Sequence, residues 1–200
     1  MPKSEGWSNV AHHCLVEGAA AETMVQVLEL PEEDKDIIIQ TALLHDFYKR
    51  KSVELIRVDE SNALNADIIS EEQSQAILRK KGFDEKIISC LNNSIGSHVL
   101  EDGYADKMTI PEKIIHYLDD ITMDDDLVSL KERTENLKKR YPTINKDGIK
   151  LFGKPYYDRQ YEVGAAIEIE LAALVGLDKP ENLPKYLKEK ILDKINNVKI

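Results

Sequence analysis

Ala42-Leu43-Leu44-His45-Asp46 closes a strongly apolar helical stretch with two adjacent residues that both ligate metals well. The imidazole binds through a neutral nitrogen lone pair, and the carboxylate brings charge. Burying a carboxylate without a partner is costly, so a cation suits this helix end. The same dipeptide also reads as an ordinary helix C-terminus whose polar residues face water. Its surroundings in the chain separate the two readings.

The helix that leads to His45 opens at Pro31, with Glu32, Glu33 and Asp34 at the positive end of its dipole. It carries Ile37, Ile38, Ala42, Leu43 and Leu44 and is expected to end near Tyr48. Upstream, Ser8 or Asn9 can cap a first helix over 8–28, with Ala11, Leu15, Gly18, Ala21, Val25 and Leu28 along one face. The small residues over 18–21 let another helix approach closely. His13 lies on this helix. Downstream, Pro111 opens a helix with Ile114, Ile115, Leu118 and Ile121, in which Asp119 is an acid in apolar surroundings. Three packed helices would bring His13, His45, Asp46 and Asp119 onto one cation. Two imidazoles and two carboxylates leave positions for water and substrate on a six-coordinate ion.

The rest of the chain is also helical in period, with no sustained apolar alternation. Residues 51–69 read as loop with short helical pieces. Ser70-Glu71-Glu72-Gln73 resembles a capping box that opens a helix ended by Gly82. Asp84 starts another helix, with Ile87, Ile88, Leu91 and Ile95 on its apolar side, and a polar loop fills 96–109. Residues 127–140 form a charged, mostly exposed helix. Residues 141–159, rich in Gly, Pro and aromatics, read as an ordered loop, and two helices over 161–175 and 184–198 close the chain. The predicted class is all-α: a body over 1–140, and over 141–200 an aromatic loop and C-terminal helices packed on the same domain.

A chain of 200 residues can bury a sizeable core, and 42% hydrophobic with 32% charged residues excludes a disordered composition. No run approaches the ~18 consecutive apolar residues of a membrane span. Residues 1–7 lack the apolar run of a signal peptide, and Cys14 and Cys90 sit in apolar helical patterns as reduced thiols, so a cytoplasmic location is expected. The net charge of −10 and the lack of a basic stripe exclude duplex nucleic acid as an expected partner. A small phosphorylated substrate is compatible, because a bound metal and a few lysines reverse the field locally.

The order and context of these residues resemble the HD superfamily of metal-dependent phosphohydrolases, whose pattern is a His, a His-Asp pair and a distant Asp, all on helices. His13-Cys14-Leu15 is similar to the first-His segment, Ala42-Leu43-Leu44-His45-Asp46 to the signature helix, and Lys113-Ile114-Ile115-His116-Tyr117-Leu118-Asp119 to the segment with the final Asp. The resemblance covers about 7–121. It implies an HD-domain helical bundle with a C-terminal helical extension, holding one divalent ion (Mn, Fe, Co, Ni, Zn or Mg) on His13, His45, Asp46 and Asp119. The implied activity is hydrolysis of a phosphate mono- or diester, on a nucleotide or another small phosphorylated metabolite. The alternative is an HD fold kept as a catalytically silent ligand-binding or protein-interaction module, and a homodimer is compatible with either.

Within that frame Asp46 is the residue expected to orient a water. Lys49 matches the spacing of a lysine that often accompanies the pair, and reads either as a phosphate contact or as a solvated basic helix end. His98 corresponds to a histidine that some relatives, among them bacterial hydrolases of diadenosine polyphosphates, direct at a second metal or the phosphate. It reads as a substrate-side residue or as a plain loop histidine. His12 competes with His13, and spacing to His45 favours His13. Asp120 competes with Asp119. His116 reads as a partly exposed structural histidine, with orientation of Asp119 or contact with substrate as the other readings. Asp124-Asp125-Asp126 lacks the Gly and distal Glu of a calcium loop and reads as an exposed helix break. The aromatics of 152–159, beside Lys154 and Arg159, either anchor the tail or stack a base, and anchoring is favoured.

Overall fold

The computed structural model describes residues 8–47, 49 and 63–197. Among them the chain forms nine α-helices and one small hairpin, so the all-α expectation holds. The helices are α1 (Ser8–Val27), α2 (Glu32–Leu44), α3 (Ala63–Lys80), α4 (Glu85–Ser94), α5 (Ile110–Ile121), α6 (Leu130–Arg140), α7 (Pro142–Phe152), α8 (Tyr156–Leu174) and α9 (Leu183–Asn197). The hairpin pairs β1 (Thr122–Met123) with β2 (Asp126–Leu127).

α5 is the central element. A capping box fixes its start: the Thr109 side chain takes the Glu112 backbone N–H, and Glu112 takes the Thr109 backbone N–H at 2.7 Å. Ile114, Ile115, Tyr117, Leu118 and Ile121 are fully buried. Over 112–121 only Asp119 keeps solvent access, so the helix is packed on every side except where that carboxylate emerges. α1, α2, α4, α6 and α8 all pack on it. The buried Tyr117 hydroxyl donates to Glu168 of α8 at 2.7 Å.

α1 and α2 form the hairpin that carries the histidines. Gly18 makes their close approach: a Cβ there would sit 2.6 Å from Leu43 Cδ2. The buried face of α1 differs from the expected stripe. Ala11 and Leu15 are exposed, and Cys14, Glu17, Ala20, Ala21, Met24, Val25 and Leu28 are inside. The face is rotated because it buries polar groups, His13 and Glu17, which a count of apolar residues skips. α2 ends at Leu44, and His45 to Phe47 form a turn.

Three further expectations are corrected. The helix placed after Ser70 starts at Ala63, so the cap-like Ser70 lies inside it; the part of the expected loop over 51–62 lies outside the described residues. Residues 141–159 are not a loop: Pro142 stands in the first turn of α7, where its missing N–H is harmless, and α8 begins at Tyr156. Asp124 to Asp126 do not break a helix but turn the hairpin, with Asp124 at φ +56° and Asp126 paired to Lys188 of α9.

The aromatic segment anchors the tail. Phe152, Tyr156 and Tyr157 pack edge to face in series at centroid distances of 5.9 and 5.4 Å. Arg159 Nε donates to the Leu100 carbonyl at 2.7 Å and its Nη2 to Asp102 at 2.9 Å, and Lys154 pairs with Glu162. α9 returns to pack on α1. At the α7–α8 crossing, a Cβ on Gly148 would lie 2.2 Å from the Tyr156 backbone nitrogen. Backbone cannot step aside as a side-chain tip can. Gly148→Ala is therefore expected to lower stability by about 2–3 kcal/mol, although helix propensity alone predicts a gain of about 1 kcal/mol. Chemical denaturation reads the sign directly.

Candidate metal centre

His13 of α1, His45 after α2 and Asp119 of α5 meet at one point, and the residue that completes the group is Glu17. One ligand atom from each lies within 4.8 Å of all the others. His13 Nε2 is 3.4 Å from Asp119 Oδ1 and 3.8 Å from Glu17 Oε2. His45 Nε2 is 3.3 Å from Glu17 Oε2 and 3.9 Å from Asp119 Oδ1. The two imidazole centroids are 5.0 Å apart.

The orientation of His45 is chemically specific. Its Nδ1 is 2.8 Å from the Ala42 carbonyl, an oxygen that can only accept, so Nδ1 carries a proton. In the neutral ring Nε2 is then a bare lone pair, and it faces a carboxylate. Histidine ligands of metals are commonly oriented by such a second-nitrogen bond to a backbone carbonyl. His45 Nε2 and both oxygens of Glu17 are buried and have no hydrogen-bond partner. Acceptor facing acceptor in a buried site calls for a cation or a proton between them.

The acids respond to this crowding. Burial, then the charges of Asp119 and Asp46, push the Glu17 carboxyl well above its ordinary range. Asp119 goes the other way: burial raises it, but the His13 hydrogen bond and the His45 and His13 charges together hold it below the usual carboxylate range. Its side chain is 37% exposed and forms the mouth of the cluster. Cys14 is pushed up to about 12 by burial and by Asp46 and Glu17, so it is a neutral thiol there.

Asp46 stands at the edge of the group, with Oδ2 3.9 Å from His45 Nε2, and Lys49 Nζ is 3.8 Å from its other oxygen. His12 is exposed, while His13 is buried in the cluster. Asp120 points away from it, accepting from Gln160 and lying 3.5 Å from His116 Nε2; burial pushes it up to about 6. His116 is buried rather than partly exposed, with Nδ1 2.9 Å from the Ser94 carbonyl, and it pairs with Asp120 and not Asp119. That follows from helical spacing, because an i,i+4 neighbour shares its face. His98, in a 3-10 turn (Ser97–Leu100), packs on the Tyr104 ring at 5.0 Å and lies outside the four-residue group; burial lowers its pKa.

Glu17 and Arg133 escaped the reading of the sequence. Glu17 is four residues after His13, hence on the same face, and that spacing was its available signal. Arg133 of α6 lowers the pKa of Glu17, Asp119 and Asp120 through its charge.

Two imidazole nitrogens and two carboxylates form a donor set that suits a divalent first-row metal. The orphaned acceptors of Glu17 and His45 fit such an ion. The described residues thus contain a cluster able to hold a metal ion. No described helix is long and apolar enough to cross a membrane. Compared with known proteins, the chain matches no family model, no curated protein and no solved structure.

Proposed function

We propose that this chain is an HD-type metal-dependent phosphohydrolase whose divalent ion is held by His13, His45, Asp119 and Glu17, with Asp46 at its edge. The observation that carries the proposal is the bare Nε2 of His45, aimed by the Ala42 carbonyl at a buried, unpartnered Glu17. The order of His13, the His45-Asp46 pair and Asp119 along the chain agrees with the resemblance. A divalent ion there supplies Lewis-acid polarisation of a phosphoryl oxygen and makes a nearby water more acidic.

The protein's own groups supply the rest. Ala42 fixes the tautomer of His45. Asp46, 20% exposed beside the cluster, orients the attacking water and accepts its proton. Lys49, 47% exposed and next to Asp46, offsets charge on the phosphoryl oxygens. Asp119, at the mouth, stands where a substrate enters. His98 is assigned to the substrate side by the resemblance alone.

Manganese-loaded protein tested on nucleotides, p-nitrophenyl phosphate and bis(p-nitrophenyl) phosphate examines the proposal and separates mono- from diester specificity. Turnover of at least one ester is expected, and Asp119→Asn is expected to lower it by roughly 100-fold or more, the size of a lost charge-stabilising group. A metal-loaded chain without turnover on any ester would instead support the ligand-binding or protein-interaction module.

A further inference from the structure

The chain carries a net charge of −10, yet residues 139–151 hold Lys139, Arg140, Lys146 and Lys150 against a single acid, Asp147. These cations occupy the end of α6 and the solvent side of α7, on either side of the corner at Tyr141. Gly148 and Asn145 turn one face of α7 onto α8, where Asn145 Oδ1 accepts the Tyr157 backbone N–H at 3.1 Å. Helical spacing puts Lys146 and Lys150 on the opposite face, and both are exposed. Ile149 and Leu151 flank that face and are 54% and 53% exposed. Lys150 pairs with Asp147 at 3.2 Å, while Lys139, Arg140 and Lys146 form no ion pair among the described residues. A helix the length of α7 spans about 16 Å, so the four cations share one patch at this corner.

We infer that this corner is a docking surface for an anionic lipid membrane, on which the chain rests without spanning it. Basic residues beside exposed apolar side chains are what an interfacial helix presents to headgroups and the acyl boundary. The overall negative charge does not forbid the contact. At physiological ionic strength the field of a charge decays over about 8 Å, so the cations nearest the membrane outweigh acids farther off. The patch is the outer face of a helix and a chain corner. That convex shape suits a plane of headgroups better than a peptide, which binds in a groove or at a strand edge. Single-stranded nucleic acid calls for aromatic faces on which bases stack, and the exposed aromatic of the corner, Tyr141, has its ring covered by Arg140 at 5.3 Å. No residue of the metal cluster lies on α6 or α7, so the inference stands apart from the metal-site reading.

The test is co-sedimentation of the full chain with vesicles of phosphatidylcholine, either alone or with about one-third phosphatidylserine. Wild type is expected to bind the anionic vesicles, to ignore the neutral ones, and to be released as salt rises from about 0.1 M to about 0.5 M. Each basic residue near an anionic surface strengthens partition by about fivefold. Lys146→Gln combined with Lys150→Gln should therefore weaken binding by about 25-fold, with helical content unchanged. Should that double variant fail to fold, Lys139→Gln combined with Arg140→Gln decides in its place, with the same expected loss. No binding to anionic vesicles, or equal binding to neutral ones, overturns the inference. Unchanged binding by a folded double variant places the contact elsewhere on the chain and also overturns it. Binding of a single-stranded oligonucleotide or an acidic peptide, without binding of vesicles, overturns it in favour of that partner.

Discussion

His45→Ala is expected to abolish metal-dependent stabilisation of the protein. In wild type, manganese at 100 times its dissociation constant should stabilise the fold by about 2.7 kcal/mol, because it binds the native state and not the unfolded chain. His45 supplies a lone pair whose direction is fixed by the Nδ1 bond to Ala42. Loss of a residue that only orients a ligand weakens metal binding by about 10–100-fold, so loss of a ligand itself should exceed that range. At the same manganese concentration the variant's melting temperature should not respond to the metal. His12→Ala is the control: that side chain is exposed, and its variant should respond as wild type does. A full metal response in His45→Ala would remove His45 from the site.

Glu17→Gln should stabilise the metal-free protein while weakening its grip on metal. The Glu17 carboxyl is fully buried, and burial with the neighbouring Asp119 and Asp46 charges raises its pKa above the ordinary 4.5. The folded state therefore holds this proton more tightly than the unfolded chain does. Its contribution is fully present below pH 4.5 and is lost as pH rises toward the folded pKa. Metal-free wild type should thus lose stability as pH increases above that value. Glutamine keeps the shape without a charge, so the variant should lack this slope and gain about 1–3 kcal/mol over wild type near pH 8, where an unpartnered buried charge is otherwise present. Denaturation in chelator across the pH range measures both effects. With manganese present the order should reverse, because the wild-type carboxylate then has its cation. Identical pH slopes for the two metal-free proteins would count against a buried, uncompensated Glu17.

The helices that carry the site were legible because their signals are local. Pro111 with its cap, the apolar run before His45 and the small residues around Gly18 each say where a helix begins or how closely it packs. Glu17 was harder. It occupies the interior face of α1 among small apolar residues, and an apolar-stripe reading places that face elsewhere, through Ala11 and Leu15. The choice of Asp46 as a full member of the ligand set followed chain adjacency. In the fold, adjacency at the end of α2 leaves Asp46 at the edge while Glu17 reaches the centre from one turn below His13. Residues 141–159 look like a loop in the sequence because Pro142, Gly148 and Gly153 are usual loop residues. Here Pro142 begins a helix, and Gly148 permits two helices to cross at backbone contact. Arg133 could not be singled out among the charges of 127–140, because its distinction lies in what α6 packs against.

Metal content is the most direct test of the central claim. Wild-type protein purified without chelator, and separately reconstituted with manganese, iron, cobalt, nickel or zinc, is measured by elemental analysis beside Glu17→Gln. The account predicts about one divalent ion per wild-type chain, held by the protein donors with positions left for water and substrate, and a clear loss in the variant. Wild type that carries no metal after every reconstitution would contradict it and leave the buried His45–Glu17 pair joined by a proton.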